Sequence, residues 1–433
     1  MALIGAGAQG IRDANDALRV PGVHLVAVAD PNRIRLARAR DLWGNDLRIT
    51  GDYESLLVEP GVDAVIVATP DHWRHRIVTE ALAAGKSVYC ESPALHGIAD
   101  AGAIIARHRE TGRTMQIGNE RPAPVLLAKA REMLRQGLIG QLVRVEASCD
   151  RDLARAVQEQ TRTENVGAGD VNWHRFLGNA PKRSFDPARL FGWRNYRDYG
   201  NGAAGEVFVD FLSSIQIITG ALSPERVEAA GSLRFWNDGR DVPDSITAIY
   251  DYPAAGGHDS FAAVLSARFV QAGNDKRALR FIGTEGTMTL AKGIALRRGR
   301  AAGEWADCGV SARELFRAHS LTERMPGSEH AEDAGYFAAP RGYSASEDRM
   351  ARFFSLARDG KSGIEDCRSA LRAARAALLA NESYFQGRSL EISDLARSPQ
   401  PRQTYFQPRV RAAVETRRSC GQRQAVTAAA KPC

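Results

Sequence analysis

The feature that most constrains this fold stands at the start of the chain. Residues 5–10 read GAGAQG, a G-x-G-x-x-G pattern that directly follows the apolar run from Ala2 to Ile4 and directly precedes a helical pattern. A strand, a glycine turn and a helix in that order predict the first unit of a Rossmann fold.

Each glycine of the motif has a physical task. Gly5 permits the tight turn, Gly7 lets the backbone approach a pyrophosphate, and Gly10 lets the helix pack on the strand. Asp30 closes the next predicted strand, where its carboxylate would accept hydrogen bonds from ribose hydroxyls and repel a 2′-phosphate. The pattern therefore predicts NAD as cofactor, with NADP less favoured, although Arg33 lies close enough to soften that preference.

Short apolar runs alternate with helical stretches as far as about residue 120, as in a doubly wound parallel sheet. After Gly118 the hydrophobic pattern predicts one helix followed by longer strand-like stretches. Residues 159–205 are predicted to form a long connection over the sheet or the cleft. We therefore expect an α/β protein with a Rossmann domain at 1–120 and an α/β domain with a large, open, mainly antiparallel sheet at 121–392. A basic, disordered tail is expected at 393–433.

The net charge of +7 raises the question of a nucleic-acid partner. Between Leu395 and Cys433, however, eight basic residues stand beside a single acid, Glu415, so the excess charge lies in the tail and the body is near neutral. No apolar run approaches the length needed to cross a bilayer. We expect neither a nucleic-acid nor a membrane partner.

The six cysteines are scattered without a C-x-x-C pair or a His-paired spacing, which predicts neither a metal site nor a disulfide framework. No secretory signal precedes the glycine motif, which favours a cytoplasmic protein. If the natural start lies upstream and carries an export signal, the location would instead be periplasmic.

Two further stretches carry a family resemblance. Residues 68–73 read ATPDHW, and residues 85–93 read GKSVYCESP. Both resemble motifs of the glucose-fructose oxidoreductase, inositol dehydrogenase and MocA family, and the resemblance extends over roughly residues 1–390. Members close to the NAD-dependent glycosidases are the most similar in the aromatic-rich loop.

The resemblance implies a cleft between the two domains and hydride transfer between nicotinamide and a carbon of a sugar or cyclitol. It also implies pairing of subunits through the open sheet, hence a homo-oligomer. Two chemistries stay open, namely net oxidation and a glycoside hydrolysis that recycles NAD.

This chain departs from the family at both expected proton handlers. Ser92 stands where the E-K-P lysine is usual, and Asp210 stands where a histidine is usual. Removing a hydride from an alcohol also requires a base, so we expect Asp210, Tyr199 or His75 to take the proton. Each has a plainer interpretation: Asp210 as an arginine partner, Tyr199 as a packing residue, and His75 as a surface helix residue.

A cluster of aromatic rings and a guanidinium, formed by Trp193, Arg194 and Tyr196, suits a sugar because rings stack on sugar faces and arginine binds paired hydroxyls. Ordinary loop packing is the alternative. The residues predicted to contact the cofactor are Gly5, Gly7, Gln9, Gly10, Asp30, Thr69, Pro70, His72, Glu91 and Ser92.

Three functions therefore remain for the structure and for experiment. The leading hypothesis is an NAD(P)-dependent oxidoreductase acting on a sugar or cyclitol. A glycoside hydrolase that recycles NAD is the second. A non-catalytic NAD-binding paralogue, suggested by the loss of both proton handlers, is the third.

Overall fold

The structure, a computed structural model, describes residues 1–119, 122–151, 165–255, 257–269, 276–298 and 334–392. The predicted tail at 393–433 lies outside these residues. None of the helices in the described ranges is both long and apolar enough to cross a membrane.

The first domain is a six-stranded parallel sheet in the order β3-β2-β1-β4-β5-β6. Its strands are β1 (Ala2–Ile4), β2 (Ala27–Ala29), β3 (Arg48–Thr50), β4 (Ala64–Val67), β5 (Ser87–Glu91) and β6 (Met115–Gly118). Its helices are α1 (Ala8–Leu18), α2 (Arg33–Trp43), α3 (Glu54–Leu57), α4 (Asp71–Ala83) and α5 (Asp100–Thr111). The chain order reverses between β1 and β4, and such a switch point is where Rossmann folds bind ligands.

The second domain is a nine-stranded sheet in the order β14-β13-β12-β11-β7-β10-β9-β8-β15. Its strands are β7 (Leu142–Asp150), β8 (Arg226–Ser232), β9 (Ser245–Tyr252), β10 (Phe261–Arg268), β11 (Lys276–Gly283), β12 (Gly286–Leu290), β13 (Gly293–Arg298), β14 (Ala334–Ala338) and β15 (Leu390–Glu391). Neighbours are antiparallel except β7 and β10, which run parallel. The predicted fold class, a Rossmann sheet followed by a mainly antiparallel sheet, is confirmed.

One face of the second sheet is buried and the other is open. Burial alternates along β9 and β10, as expected of strands with one solvated face. The buried face packs against three helices, which are α6 (Pro124–Arg135), α9 (Val209–Thr219) and α11 (Ile364–Gln386) in the order of the helices along the chain.

Between the sheets, residues 165–201 form a compact segment of short helical turns, including α7 (Trp173–Leu177) and α8 (Pro187–Phe191). Its apolar side chains make a small core of their own. A π-helical turn, Ala204–Phe208, then leads directly into α9. From residue 165 onward the predicted long connection thus forms a wall beside the Rossmann domain, while its residues 159–164 lie outside the described ranges.

The packing boundary differs from the boundary predicted at residue 120. Helix α10 (Ala345–Arg358) returns to the first domain, where Phe353 packs on Tyr89 of β5 with ring centroids 5.8 Å apart. Met350, Phe353 and Phe354 belong to the same apolar cluster as Leu3 of β1. The first domain therefore includes a helix from near the end of the described chain, because α10 buries apolar side chains of α1 and of the sheet.

Candidate functional site

The glycine turn between β1 and α1 has the shape that a pyrophosphate requires. Gly5 adopts a φ of +97°, and a Cβ there would lie 2.7 Å from the carbonyl oxygen of Ala68. A Cβ on Gly10 would overlap the Gly5 carbonyl oxygen. Gly7 differs, because a Cβ there would meet only the Arg35 guanidinium, at 3.5 Å. The space above Gly7 is thus open to a ligand.

Helix α1 begins at this turn without a side-chain cap. Its first backbone N–H groups and the positive end of its dipole are therefore available to an anion. The cradle above Gly7 and the uncapped helix end fit a dinucleotide pyrophosphate.

Asp30 organises the turn from the end of β2. Its Oδ2 accepts the N–H of Ala6 at 2.8 Å, and its Oδ1 accepts the N–H of Asn32 at 2.8 Å. Each carboxylate oxygen has two lone pairs, so a carboxylate can accept more hydrogen bonds than these two. Asp30 thus joins the glycine turn to the β2–α2 turn at the predicted cofactor edge.

The predicted cofactor residues Gln9 and Glu91 meet around an acid that sequence reasoning missed. Gln9 Nε2 donates to Asp13 Oδ1 at 2.8 Å. Burial, and next the charge of Glu91, raises the pKa of Asp13 to about 9. Asp13 could have been found as an acid on the apolar face of a predicted helix, one turn beyond the glycine motif.

The ends of β4 and β5 present polar groups toward the same edge. The Thr69 and Ser92 hydroxyls are buried and have no hydrogen-bond partner within the described part of the chain. Arg74 fixes both loops, because its Nε donates to the Thr69 carbonyl at 2.8 Å and its Nη1 to the Pro93 carbonyl at 2.9 Å. Its charge is balanced by Asp71, 2.9 Å from Nη1. Pro70 precedes Asp71 at the start of α4.

His72 faces the wall formed by residues 165–201. Its Nε2 lies 2.9 Å from the Phe176 carbonyl oxygen, and because that oxygen only accepts, Nε2 carries the proton. Burial lowers the pKa of His72 to about 4. The ring also lies 5.3 Å from that of Tyr199, between centroids. The neutral His72 therefore joins the Rossmann domain to the wall.

His75 lies one turn after His72 on α4. It is buried between α4 and α5, with Nδ1 3.6 Å from Asp100 Oδ1. It is therefore not the surface residue of the plainer interpretation.

Asp210 lies on the first turn of α9, which crosses the ends of β5 and β6. A Cβ added to Gly205, just before the helix, would lie 3.4 Å from Pro93. The Ser213 hydroxyl accepts a hydrogen bond from Asn119 Nδ2 at 3.4 Å. Asp210 lies between these two contacts. Arg277 Nη1 of β11 lies 3.3 Å from its Oδ2. The helix that carries Asp210 thus passes the ends of β5 and β6, and the carboxylate itself meets the arginine partner that the plainer interpretation foresaw.

Tyr199 is fully buried in the wall, and its backbone carbonyl accepts the N–H of His72 at 3.2 Å. Burial raises the pKa of Tyr199, while the neighbouring Arg189 opposes that shift. The complete burial of Tyr199 fits the packing interpretation, although its ring lies beside that of His72.

The predicted sugar cluster divides in two. Trp193 and Tyr196 are buried in the wall, whereas the Arg194 side chain keeps 34% of its surface exposed. Its guanidinium carbon lies 4.1 Å above the Trp193 ring, and its Nε pairs with Glu206 of the π-helical turn. Glu206 was missed as a site residue, and its place four residues before Asp210 in GEVFVD was the available signal.

The sequence of the first domain has clear relatives. Residues 1–119 match the sequence model of an oxidoreductase family with an NAD-binding Rossmann fold. The chain is 32% identical over 146 residues to "scyllo-inositol 2-dehydrogenase (NAD(+))" of Bacillus subtilis, covering 32% of this chain and 41% of that protein. It is also 32% identical over 190 residues to "Glycosyl hydrolase family 109 protein 2" of Shewanella sp. strain ANA-3, covering 41% and 40%. The matches thus span less than half of either relative.

Among solved structures, the chain resembles "Levoglucosan dehydrogenase, complex with NADH" with a TM-score of 0.61. The similarity covers 90% of this chain and 98% of that one at 16% sequence identity. At this identity the likeness concerns the fold alone, and it extends over both domains.

Proposed function

We propose that this chain is a member of the glucose-fructose oxidoreductase, inositol dehydrogenase and MocA family that oxidises a hydroxyl-bearing carbon of a sugar or cyclitol, because its residues 1–119 match an oxidoreductase family with an NAD-binding Rossmann fold. NAD, held at the glycine turn, would supply the hydride acceptor. The substrate lies between the strand ends of the first domain and the turn that carries Asp210.

The chain's own residues supply binding, orientation and proton transfer. Gly5, Gly7 and Gly10 admit the pyrophosphate to the N-terminus of α1, and Asp30 accepts the ribose hydroxyls. Arg194, stacked on Trp193, donates to substrate hydroxyls from the exposed side of the cleft.

Asp210 takes the hydroxyl proton. A carboxylate in a partly dry site is a competent base when it is held within hydrogen-bond reach of the reacting hydroxyl. Arg277 compensates its charge and restricts its rotation through a contact with Oδ2.

The observation that carries this proposal is the meeting of three features at one sheet edge. The open cradle above Gly7 lies where β1 ends, and the hydroxyls of Thr69 and Ser92, which have no partner within the described residues, lie where β4 and β5 end. The turn at Gly205, which leads into the helix of Asp210, packs beside Pro93, just past the end of β5. Buried hydroxyls without partners are costly unless a ligand satisfies them.

The test has two stages. NADH binding is followed first, by the fluorescence of the bound nucleotide. The purified chain with NAD is then offered a panel of sugars, cyclitols and aryl glycosides while absorbance of NADH is recorded. NADH formed in proportion to one sugar supports the proposal, and no NADH binding at all overturns it.

The glycosidase relative favours a second candidate, hydrolysis of a glycoside with NAD as a recycled oxidant. Aglycone release without accumulation of NADH would support it. Tight NADH binding with no turnover across the panel would support the third hypothesis, a non-catalytic paralogue.

We also infer that two copies pair through the open face of the nine-stranded sheet. Ile249 of β9 is exposed there, in the same cross-strand row as Glu146 of β7, which pairs with Arg144. Light scattering after size exclusion tests this, and a monomer at micromolar concentration would contradict it.

A further inference from the structure

An ion pair joins the wall to the Rossmann domain beside the predicted cofactor edge. Arg33, the first residue of α2, lies with Nε 2.7 Å and Nη2 2.6 Å from Oδ1 of Asp170. Asp170 belongs to the segment that begins the wall, far from Arg33 in the chain. Both guanidinium nitrogens thus meet one carboxylate oxygen.

Asp170 is held in place by its own turn and by the β2–α2 turn. Its Oδ2 accepts the N–H of Gly167 at 2.9 Å. Val171 forms an antiparallel bridge with Asn32, and the N–H of Asn172 donates to the Pro31 carbonyl at 2.8 Å. These backbone contacts fix the carboxylate, so Arg33 adjusts to Asp170 rather than the reverse.

Stability does not explain the pair. The side chain of Arg33 is 72% exposed and that of Asp170 is 19% exposed. Water screens a pair of this kind, so its contribution to folding is small. The backbone contacts already join the two segments without it.

The location suggests another role. In Rossmann domains the residue at the end of the second strand contacts the adenosine ribose, and an arginine nearby accommodates the 2′-phosphate of NADP. Here Asp30 holds the first position and Arg33, three residues later, is suited to the second. Asp170 engages that arginine and so keeps its guanidinium from binding a 2′-phosphate.

We propose that Asp170 is a specificity-determining residue, which makes the chain prefer NAD over NADP by engaging Arg33. The inference rests on the proposed function, since it assumes dinucleotide binding at the glycine turn. It assigns part of the cofactor preference to a residue outside the Rossmann domain.

The test measures NADH and NADPH affinity of the full chain by nucleotide fluorescence, in the wild type and in Asp170→Ala, Asp170→Asn, Arg33→Ala and the double variant D170A/R33A. With Asp170 removed, Arg33 gains a charge-assisted hydrogen bond to the 2′-phosphate, so NADPH affinity should rise about tenfold while NADH affinity changes less than about twofold. The double variant should lose that gain.

Arg175→Ala is the matched control. Arg175 joins the same wall to Asp52, at 3.0 Å, and to Glu54, away from Arg33. This variant should leave the ratio of NADPH to NADH affinity unchanged.

Three results would overturn the inference. One is an equal loss of both nucleotides in both Asp170 variants, which would make Asp170 structural. Another is a gain that persists in the double variant, which would make the effect simple charge repulsion. The third is an unchanged ratio in a chain that binds NADH. A wild type that binds neither nucleotide would instead overturn the proposed function itself.

Discussion

Arg277 of β11 and Asp210 of α9 form an ion pair across the interior of the second domain, with Nη1 3.3 Å from Oδ2. The carboxylate that we propose as the proton acceptor therefore has a cation beside it. The ion pair restricts the rotation of the Asp210 side chain.

Asp210→Asn should abolish proton uptake while keeping the shape of the site. We expect the rate of NADH formation with the substrate found in the panel to fall about 10²–10⁴-fold. NADH affinity should stay within about twofold, since Asp210 lies on the other domain. Tyr199→Phe is the comparison, and a larger loss there than in Asp210→Asn would transfer the proton step to Tyr199.

Two glycine variants should separate cofactor binding from folding. Gly7→Ala points its Cβ into the open cradle, so NADH affinity should fall at least about tenfold with little change in the free energy of unfolding. Gly10→Ala overlaps backbone at Gly5 and should lower that free energy by about 3 kcal/mol. Urea unfolding and nucleotide titration measure both, and a Gly7→Ala chain that binds NADH normally would contradict the cradle.

Asp13 should make stability fall as pH rises. The pKa of Asp13 is raised from 3.8 to about 9 in the folded chain, so between these values the folded state keeps a proton that the unfolded state releases. The free energy of unfolding should therefore decrease from about pH 4 toward pH 9, by up to about 1.4 kcal/mol per pH unit from this group.

Asp13→Asn should remove that slope and be more stable than the wild type at pH 8, because an amide carries no charge to bury. Urea unfolding at pH 6, 7 and 8 tests it. Asp16→Asn, a half-buried acid on the same helix, is the control and should leave the slope intact. The same slope in Asp13→Asn would show that another group causes it.

Arg194 and Tyr196 should differ in their effect on substrate. Arg194→Lys loses the planar stacking on Trp193 and the paired donors, so the KM for the sugar should rise about tenfold at unchanged NADH affinity. Tyr196→Phe should leave KM within about twofold, because the Tyr196 ring is buried beneath the Arg189 guanidinium, 4.1 Å from its centroid. Steady-state kinetics decide, and equal effects would mean that Arg194 only packs.

Patterns local in the chain were enough to predict the Rossmann domain. The strand Ala2–Ile4 lies at its predicted bounds, since a parallel strand buried on both faces reads as a continuous apolar run. The edge strand Arg48–Thr50 was not predicted, because it is short, polar and partly exposed. Its pairing with β2 stabilises it instead.

By itself, the sequence determined the glycine turn, the acid at Asp30 and the match of residues 1–119 to an NAD-binding oxidoreductase family, because these depend on neighbours a few positions apart. Only the tertiary structure decided which distant side chains meet. Arg33 meets Asp170 and Asp210 meets Arg277, although the two residues of each pair are far apart in the chain. Helix α10, from near the end of the described chain, covers the first sheet. Such contacts follow from how two sheets and a wall pack around one cleft, and no local periodicity encodes that arrangement.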